Sequence, residues 1–305
     1  MAWWLDGRMW FALSAVAFAV PEGFWAHWGD GRAEVSAYAL TIPRYGELRK
    51  GEAVLVFVTE TFTSGQRVKS DGGHPDEFPV LKLNTMVDFQ TGVYDYDTTT
   101  STFLPLDGRQ AMGVPTKLAF SAQEWCGVVF DEVRVDGPVA RWTSHSYFDG
   151  EGDRYRVLAV PDDAVFADAL PILVRNVVGD WLAPGATREV HLVPSFLELR
   201  LAHRDPIWEV AQVSRSASSS VVSTVLGAVE AWTITVEGPG PAQTTWTVEA
   251  ASPNRLLGWV RSDGFTGTLT GSTRSAYWTQ HGEGGEALRL DLGLPPDAWH
   301  PVAAP

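Results

Sequence analysis

Short alternating runs of apolar and polar residues fill this chain from about residue 33 onward. They are rich in Val, Thr and aromatics and are bounded by Gly, Pro, Asp or Asn, which is how strands joined by hairpin turns read. Residues 54–61, 79–88, 117–123, 140–148, 189–201, 229–236, 244–250, 256–261 and 274–280 fit that pattern. Residues 94–102 read as a strand edge or exposed hairpin, 65–78 as a long polar loop and 214–223 as a polar loop or edge. The expectation is a mainly β protein: a large antiparallel open barrel or curved sheet.

One segment, 161–183, has helical spacing instead. Val165, Leu170, Leu173, Val174, Val177, Val178 and Trp181 form its apolar stripe. Asp162 or Asp163 is placed to cap its start, Pro171 to kink or split it, and Leu182-Ala183-Pro184-Gly185 to end it. The chain then divides into a leader or N-terminal helix, 1–31, and a single large β domain, 32–305. That domain has possible halves at 32–160 and 185–295, joined by the helix. The apolar run 9–20 has the length of a signal-peptide core and is too short to span a bilayer. Asp6 and Arg8 leave little net positive charge before it, and no clean cleavage site precedes Pro21. A buried N-terminal helix packed by Trp3, Trp4, Trp10 and Phe11 is the alternative. The leader reading places the protein in the periplasm or outside the cell, with contact at a membrane surface left open.

Composition narrows the partners. With 305 residues, 45% of them hydrophobic, a sizeable core can form. The 14 Trp and 14 Phe suit wide gaps between sheet layers, or the lining of a ligand cavity. A net charge of −14 argues against nucleic acid, which needs clustered Lys and Arg. Cys126 is the sole cysteine, so no intramolecular disulfide forms.

Three groups of residues are candidates for chemistry. If 117–127 and 140–148 were hairpin partners, Glu124, Cys126, His145 and Tyr147 would share a face, and a Cys thiolate beside a His is the minimum for nucleophilic catalysis. The alternative for Cys126 is a small buried apolar residue. Asp149, Glu151 and Asp153, at alternate positions separated by glycines, suit a hard cation such as calcium, although the downstream bidentate Glu of an EF-hand is missing. The alternative is an acidic turn. Arg255 and Arg274 are placed to close a cavity mouth on an anionic head group, with Trp125, Tyr147 and Trp278 as aromatic contacts. The seven His have no zinc-ligand spacing, and there is no nucleophile elbow, phosphate loop or dinucleotide fingerprint. No cofactor is evident beyond possible calcium.

The strings Arg44-Tyr-Gly-Glu47, Ala53-Val-Leu-Val-Phe-Val-Thr-Glu60, Lys82-Leu-Asn84, Gln123-Glu-Trp-Cys-Gly127 and Ser144-His-Ser-Tyr-Phe-Asp-Gly-Glu-Gly-Asp153 resemble an uncharacterised family of bacterial envelope proteins. Its members are sometimes labelled septum formation inhibitor Maf, and the resemblance covers most of 24–200. That label implies a nucleotide pyrophosphatase. The chain lacks the Ser-Pro-Arg-Arg start and the α/β alternation of such enzymes, so the implied activity is rejected. The meander at 229–281 is similar in texture to periplasmic β proteins of the lipoprotein-carrier and DUF3108 type, which implies an open barrel. Together these features predict an exported soluble protein that binds an apolar or amphipathic small molecule, lipids included, in a sheet-lined cavity above about 300 Å³. An enzyme (hydrolase or transferase) using Glu124, Cys126 and His145 is one alternative. A calcium-stabilised interaction module is the other.

Overall fold

A computed structural model describes residues 20–238 and 243–295. The apolar run read as a leader, apart from Val20, lies outside the described residues. Sixteen strands form one sheet. They are β1 (Ala33–Arg44), β2 (Glu47–Thr63), β3 (Glu77–Thr91), β4 (Tyr94–Pro105), β5 (Lys117–Glu124), β6 (Gly127–Asp136), β7 (Val139–Ser146), β8 (Arg154–Ala159), β9 (Ala164–Phe166), β10 (Thr187–Val193), β11 (Glu209–Arg215), β12 (Ser220–Thr224), β13 (Gly227–Glu237), β14 (Gln243–Glu249), β15 (Leu256–Arg261) and β16 (Thr266–Ser275). Three short α-helices accompany them: α1 (Phe24–Trp28), α2 (Leu170–Leu173) and α3 (Phe196–Ala202).

The strand order is β8-β7-β6-β5-β4-β3-β2-β1-β16-β15-β14-β13-β11-β10-β9, with β12 paired to β13. Every pairing is antiparallel except β9 with β10. β1 pairs with β16 from Ala33↔Ser275 to Thr41↔Thr266, so both halves of the chain belong to one continuous sheet. The sheet is open: strands make up 53% of the structure and do not close into a barrel. Its ends nonetheless approach each other. The Trp208 indole N–H donates to the Ala159 carbonyl at 2.8 Å, tying the entry to β11 to the end of β8. Phe166, Val193, Phe196 and Leu199 pack on Leu118, Phe120, Val133 and Trp142 of β5–β7.

Period-two patterning fixes which face points inward. On β2–β4 the inner residues run in register across the ladders. Leu55 faces Thr85, which faces Thr100; one row on, Ala53 faces Val87, which faces Thr98. Residues 94–102 are thus not an exposed edge. Tyr96, Thr98, Thr100 and Thr102 are buried on an interior strand, because β5 covers the far side.

The predicted long helix at 161–183 is broken. Residues 164–166 form β9, 167–169 a 3₁₀ turn and 170–173 the single turn α2, after which Asn176 adopts the left-handed region (φ 53°) and ends it. Asn176 then holds the chain turned, its side-chain amide donating to the Leu182 carbonyl at 3.1 Å. Asp163 does not cap a helix; its carboxylate bonds His191 Nδ1 at 2.7 Å. The apolar stripe arose because the segment is enclosed, and all seven of its residues are buried.

Two predicted strands end early for local reasons. In 189–201, β10 stops at Val193 and Ser195 starts α3, its hydroxyl accepting the Glu198 N–H at 3.2 Å. In 274–280, β16 stops at Ser275 and 277–279 form a 3₁₀ turn. The stretch 214–223, read as a polar loop or exposed edge, includes the edge strand β12, which pairs with β13 alone. No helix among the described residues is long and apolar enough to cross a membrane.

Candidate functional site

The sheet wraps its concave face around the insert formed by residues 164–202, and the two do not meet everywhere. A cavity of about 440 Å³ remains between them. Protein interiors rarely leave voids much larger than a water molecule, so a space of this size is not a packing residue. One wall is the Leu55–Thr85–Thr100 and Ala53–Val87–Thr98 rows of β2–β4. The opposite wall is Trp246 of β14 and Trp259 of β15, with Phe265. The roof is Ala167, Asp168, Leu170 and Pro171 with Leu192 and α3.

The aromatic wall has a local cause. Trp246 and Trp259 oppose each other across β14 and β15, their ring centroids 5.6 Å apart. Trp259 also contacts Phe265 at 5.9 Å and Tyr38 at 5.0 Å. Its indole lies across β16 only because residue 267 is Gly: a Cβ there would sit 2.3 Å from the ring. A bulkier residue at 267 would push the indole towards the cavity.

Ionisable groups line the cavity in two ways. Glu198, Arg204, Glu209 and Arg261 gather where the wall becomes accessible, and they neutralise one another. Arg204 pairs with Glu209. Arg261 pairs with Asp263 at 2.7 Å and with Glu198 at 3.5 Å. Asp168 differs. Its Oδ2 accepts the Phe196 N–H at 3.0 Å, capping α3. No lysine or arginine pairs with it among the described residues, and its own backbone N–H is a second donor to the carboxylate. Burial pushes its carboxyl up to about 7, against the pull of the Phe196 N–H and with the help of Glu198's negative charge. Asp168 is enclosed by protein yet keeps accessible surface, and that surface belongs to the cavity it lines.

The residues singled out by sequence lie elsewhere. Strand β6 separates 117–124 from 139–146, so 117–127 and 140–148 are not hairpin partners; β5 pairs with β6, and β6 pairs with β7. Cys126 sits exposed with Trp125 in the tight turn between β5 and β6. His145 bonds Asp153 at 2.9 Å on the surface. Glu124 instead turns inward to a buried ion pair with Arg200 of α3, whose guanidinium lies 3.9 Å from the Phe148 ring centre. The carboxylates at 149–153 diverge: Asp153 goes to His145, while Glu151 goes to His203 and Ser146. No group of three or more His, Cys, Asp or Glu is placed to hold a metal among the described residues.

Arg255 and Arg274 do not guard the cavity either. Arg255 grips Glu249 through two bonds of 2.7 Å, and Arg274 bonds the His27 carbonyl at 2.7 Å and pairs with Asp30. Trp125, Tyr147 and Trp278 are exposed on the outside. Tyr147 lies over Gly127, where a Cβ would meet its ring at 2.4 Å. None of these five residues lines the cavity. Sequence reasoning missed Asp168 because an isolated Asp in an apolar run looks like any turn residue. Only the Ser195-Phe-Leu-Glu198 capping box advertised the helix that it supports.

No protein-family profile matches the chain, and no curated protein does. Among solved structures, a DUF1089 family protein from Pseudomonas aeruginosa is similar at 10% identity and a TM-score of 0.36, covering 58% of this chain and 82% of that one.

Proposed function

We propose that the protein binds an apolar or amphipathic small molecule in the cavity between sheet and insert. The observation that carries this reading is the cavity itself, about 440 Å³ and walled by Leu55, Val87, Leu170, Leu192, Trp246 and Trp259. Its size falls within the range of roughly 300–1,000 Å³ typical of ligand sites, and it combines apolar walls with few polar groups. The mutually paired charges at its accessible side suit an amphipath whose polar end stays near water. A role outside the cytoplasm, with a lipid among the natural ligands, follows from the apolar run 9–20 and from the carrier-like texture of 229–281.

Native mass spectrometry of the protein purified from its source tests the reading. A co-purifying small molecule in stoichiometric amount, released by denaturation, is expected. Recovery of only the bare chain, together with failure to take up any apolar probe, contradicts it.

The enzyme reading built on Cys126 loses its geometric basis, because Cys126 occupies a surface turn while Glu124 points inward to Arg200. The calcium reading loses its basis in the same way, since Glu151 and Asp153 have separate partners and no group of three or more His, Cys, Asp or Glu is placed to hold a metal among the described residues.

A further inference from the structure

Three other polar or aromatic features lie outside the cavity walls. The buried Arg175–Glu34 pair is closed on itself and on two carbonyls of the loop before β15, and it lines neither cavity. The polar cluster under α3, with Asp131, Glu151, Arg154, Arg200 and His203, encloses only about 30 Å³; Arg154, Arg200 and His203 pair with Asp205, Glu124 and Glu151, and Asp131 accepts the Trp142 indole N–H at 2.8 Å. The exposed aromatics Trp125, in the β5–β6 turn, and Tyr147, just after β7, have nothing to indicate what covers them. Asp168 presents to the larger space a carboxylate with no lysine or arginine partner among the described residues.

We infer that the ligand carries a protonated amine on its apolar body, with Asp168 as its counter-ion and Trp246, Trp259 and Phe265 as an aromatic wall for the cation. This rests on the cavity being a ligand site. Four arguments select a cation over an anion or a neutral head. The arginines that line the cavity, Arg204 and Arg261, already have acidic partners, so an anionic head group would have to displace a carboxylate. Asp168 lines the cavity with two backbone N–H donors but no lysine or arginine paired to its carboxylate among the described residues, and a buried carboxylate without a cationic partner is costly, so an incoming ammonium supplies what the protein withholds. Aromatic faces attract cations, most strongly when both are desolvated. The excess of acidic residues, a net charge of −14, raises the local concentration of cations around the whole molecule.

Threonines complete the site. Thr85 and Thr100 stand opposite each other in the same wall, and Thr98 already donates to the Val87 carbonyl at 3.0 Å. The Thr85 and Thr100 hydroxyls are available as acceptors for the remaining ammonium hydrogens. No covalent step is involved; the ammonium stays protonated throughout.

Isothermal titration calorimetry at pH 8 with three probes of equal chain length, decylammonium, decanol and decanoate, separates this inference from the cavity reading. The full chain and Asp168→Asn are compared; Asn retains an oxygen for the Phe196 N–H and removes only the charge. Decylammonium is expected to bind the native chain about tenfold or more tightly than the other two. Asp168→Asn is expected to erase that preference by weakening decylammonium about tenfold or more. If decanol or decanoate binds the native chain as tightly as the amine, or if the preference survives in Asp168→Asn, the counter-ion role is overturned and the cavity reading stands. If none of the three binds, both fall. The ranking in the native chain is decisive even if the variant does not fold.

Discussion

Arg175 and Glu34 meet as a fully buried ion pair across 141 positions of sequence, with two N···O distances of 2.8 Å. Arg175 follows α2, and Glu34 opens β1. The same guanidinium donates to the Asn254 carbonyl at 2.7 Å and to the Pro253 carbonyl at 3.1 Å, and it lies 4.5 Å from the Phe57 ring centre. One side chain thus fastens the insert to the centre of the sheet and to the loop before β15. That attachment holds the insert over the concave face with a gap beneath it.

Removing one member leaves the other charged and buried. Arg175→Met is expected to destabilise the fold by about 3–5 kcal/mol in urea unfolding. The double variant Arg175→Met with Glu34→Met is expected to recover a large part of that loss. Equal losses in the single and double variants would show that the arginine acts through its carbonyl contacts rather than through the pair.

Asp168 links stability to pH. Its carboxyl titrates near 7 in the folded chain and near 3.8 when unfolded, so the folded state binds the proton more tightly. Its cost is absent below about pH 4, grows as pH rises towards 7 and is constant above that. Asp168→Asn is therefore expected to melt at a higher temperature than the native chain at pH 8, and at the same temperature at pH 4. The difference at pH 8 is expected to be about 4 kcal/mol at most. A variant less stable at pH 8 would mean that the charged cap on α3 outweighs the burial penalty.

Cys126 occupies an exposed turn and contacts no catalytic partner. The native protein is expected to react with one equivalent of Ellman's reagent without denaturant. Cys126→Ser is expected to change stability by no more than about 0.5 kcal/mol, as surface substitutions generally do. Protection of the thiol until unfolding would contradict this placement.

Calcium is expected to leave the melting temperature unchanged in thermal-shift assays, because Glu151 and Asp153 are committed to His203 and His145. A rise with calcium concentration would show that these carboxylates regroup around the ion, since an ion bound only by the folded state must stabilise it.

Strand identity was largely legible in the sequence because period-two alternation is a local signal; β15 has the very limits that the alternation indicated. The long helix was not. Its apolar stripe at 165–181 came from enclosure on all sides, which mimics amphipathic spacing, while Pro171 and Asn176 carried the break. Glu124 and Cys126 lie two residues apart, so alternation placed them on one face, but the turn at Trp125-Cys126 ends the alternation just there. The cavity was foreseen only as a consequence of abundant aromatics. Which aromatics line it depended on the pairing of Trp246 with Trp259 and on the space above Gly267, both set by the register of the consecutive strands β14–β16, which residue type alone does not fix.

Titration with the uncharged fluorophore N-phenyl-1-naphthylamine, read by its emission in the native chain and in Thr85→Trp, tests the ligand cavity most directly. A single saturable site is expected, with affinity at least tenfold weaker once the indole occupies the space beside Leu55 and Thr100 and the melting temperature little changed. Unsaturable binding, or equal affinity in the two proteins, would mean that the space under the insert takes no ligand.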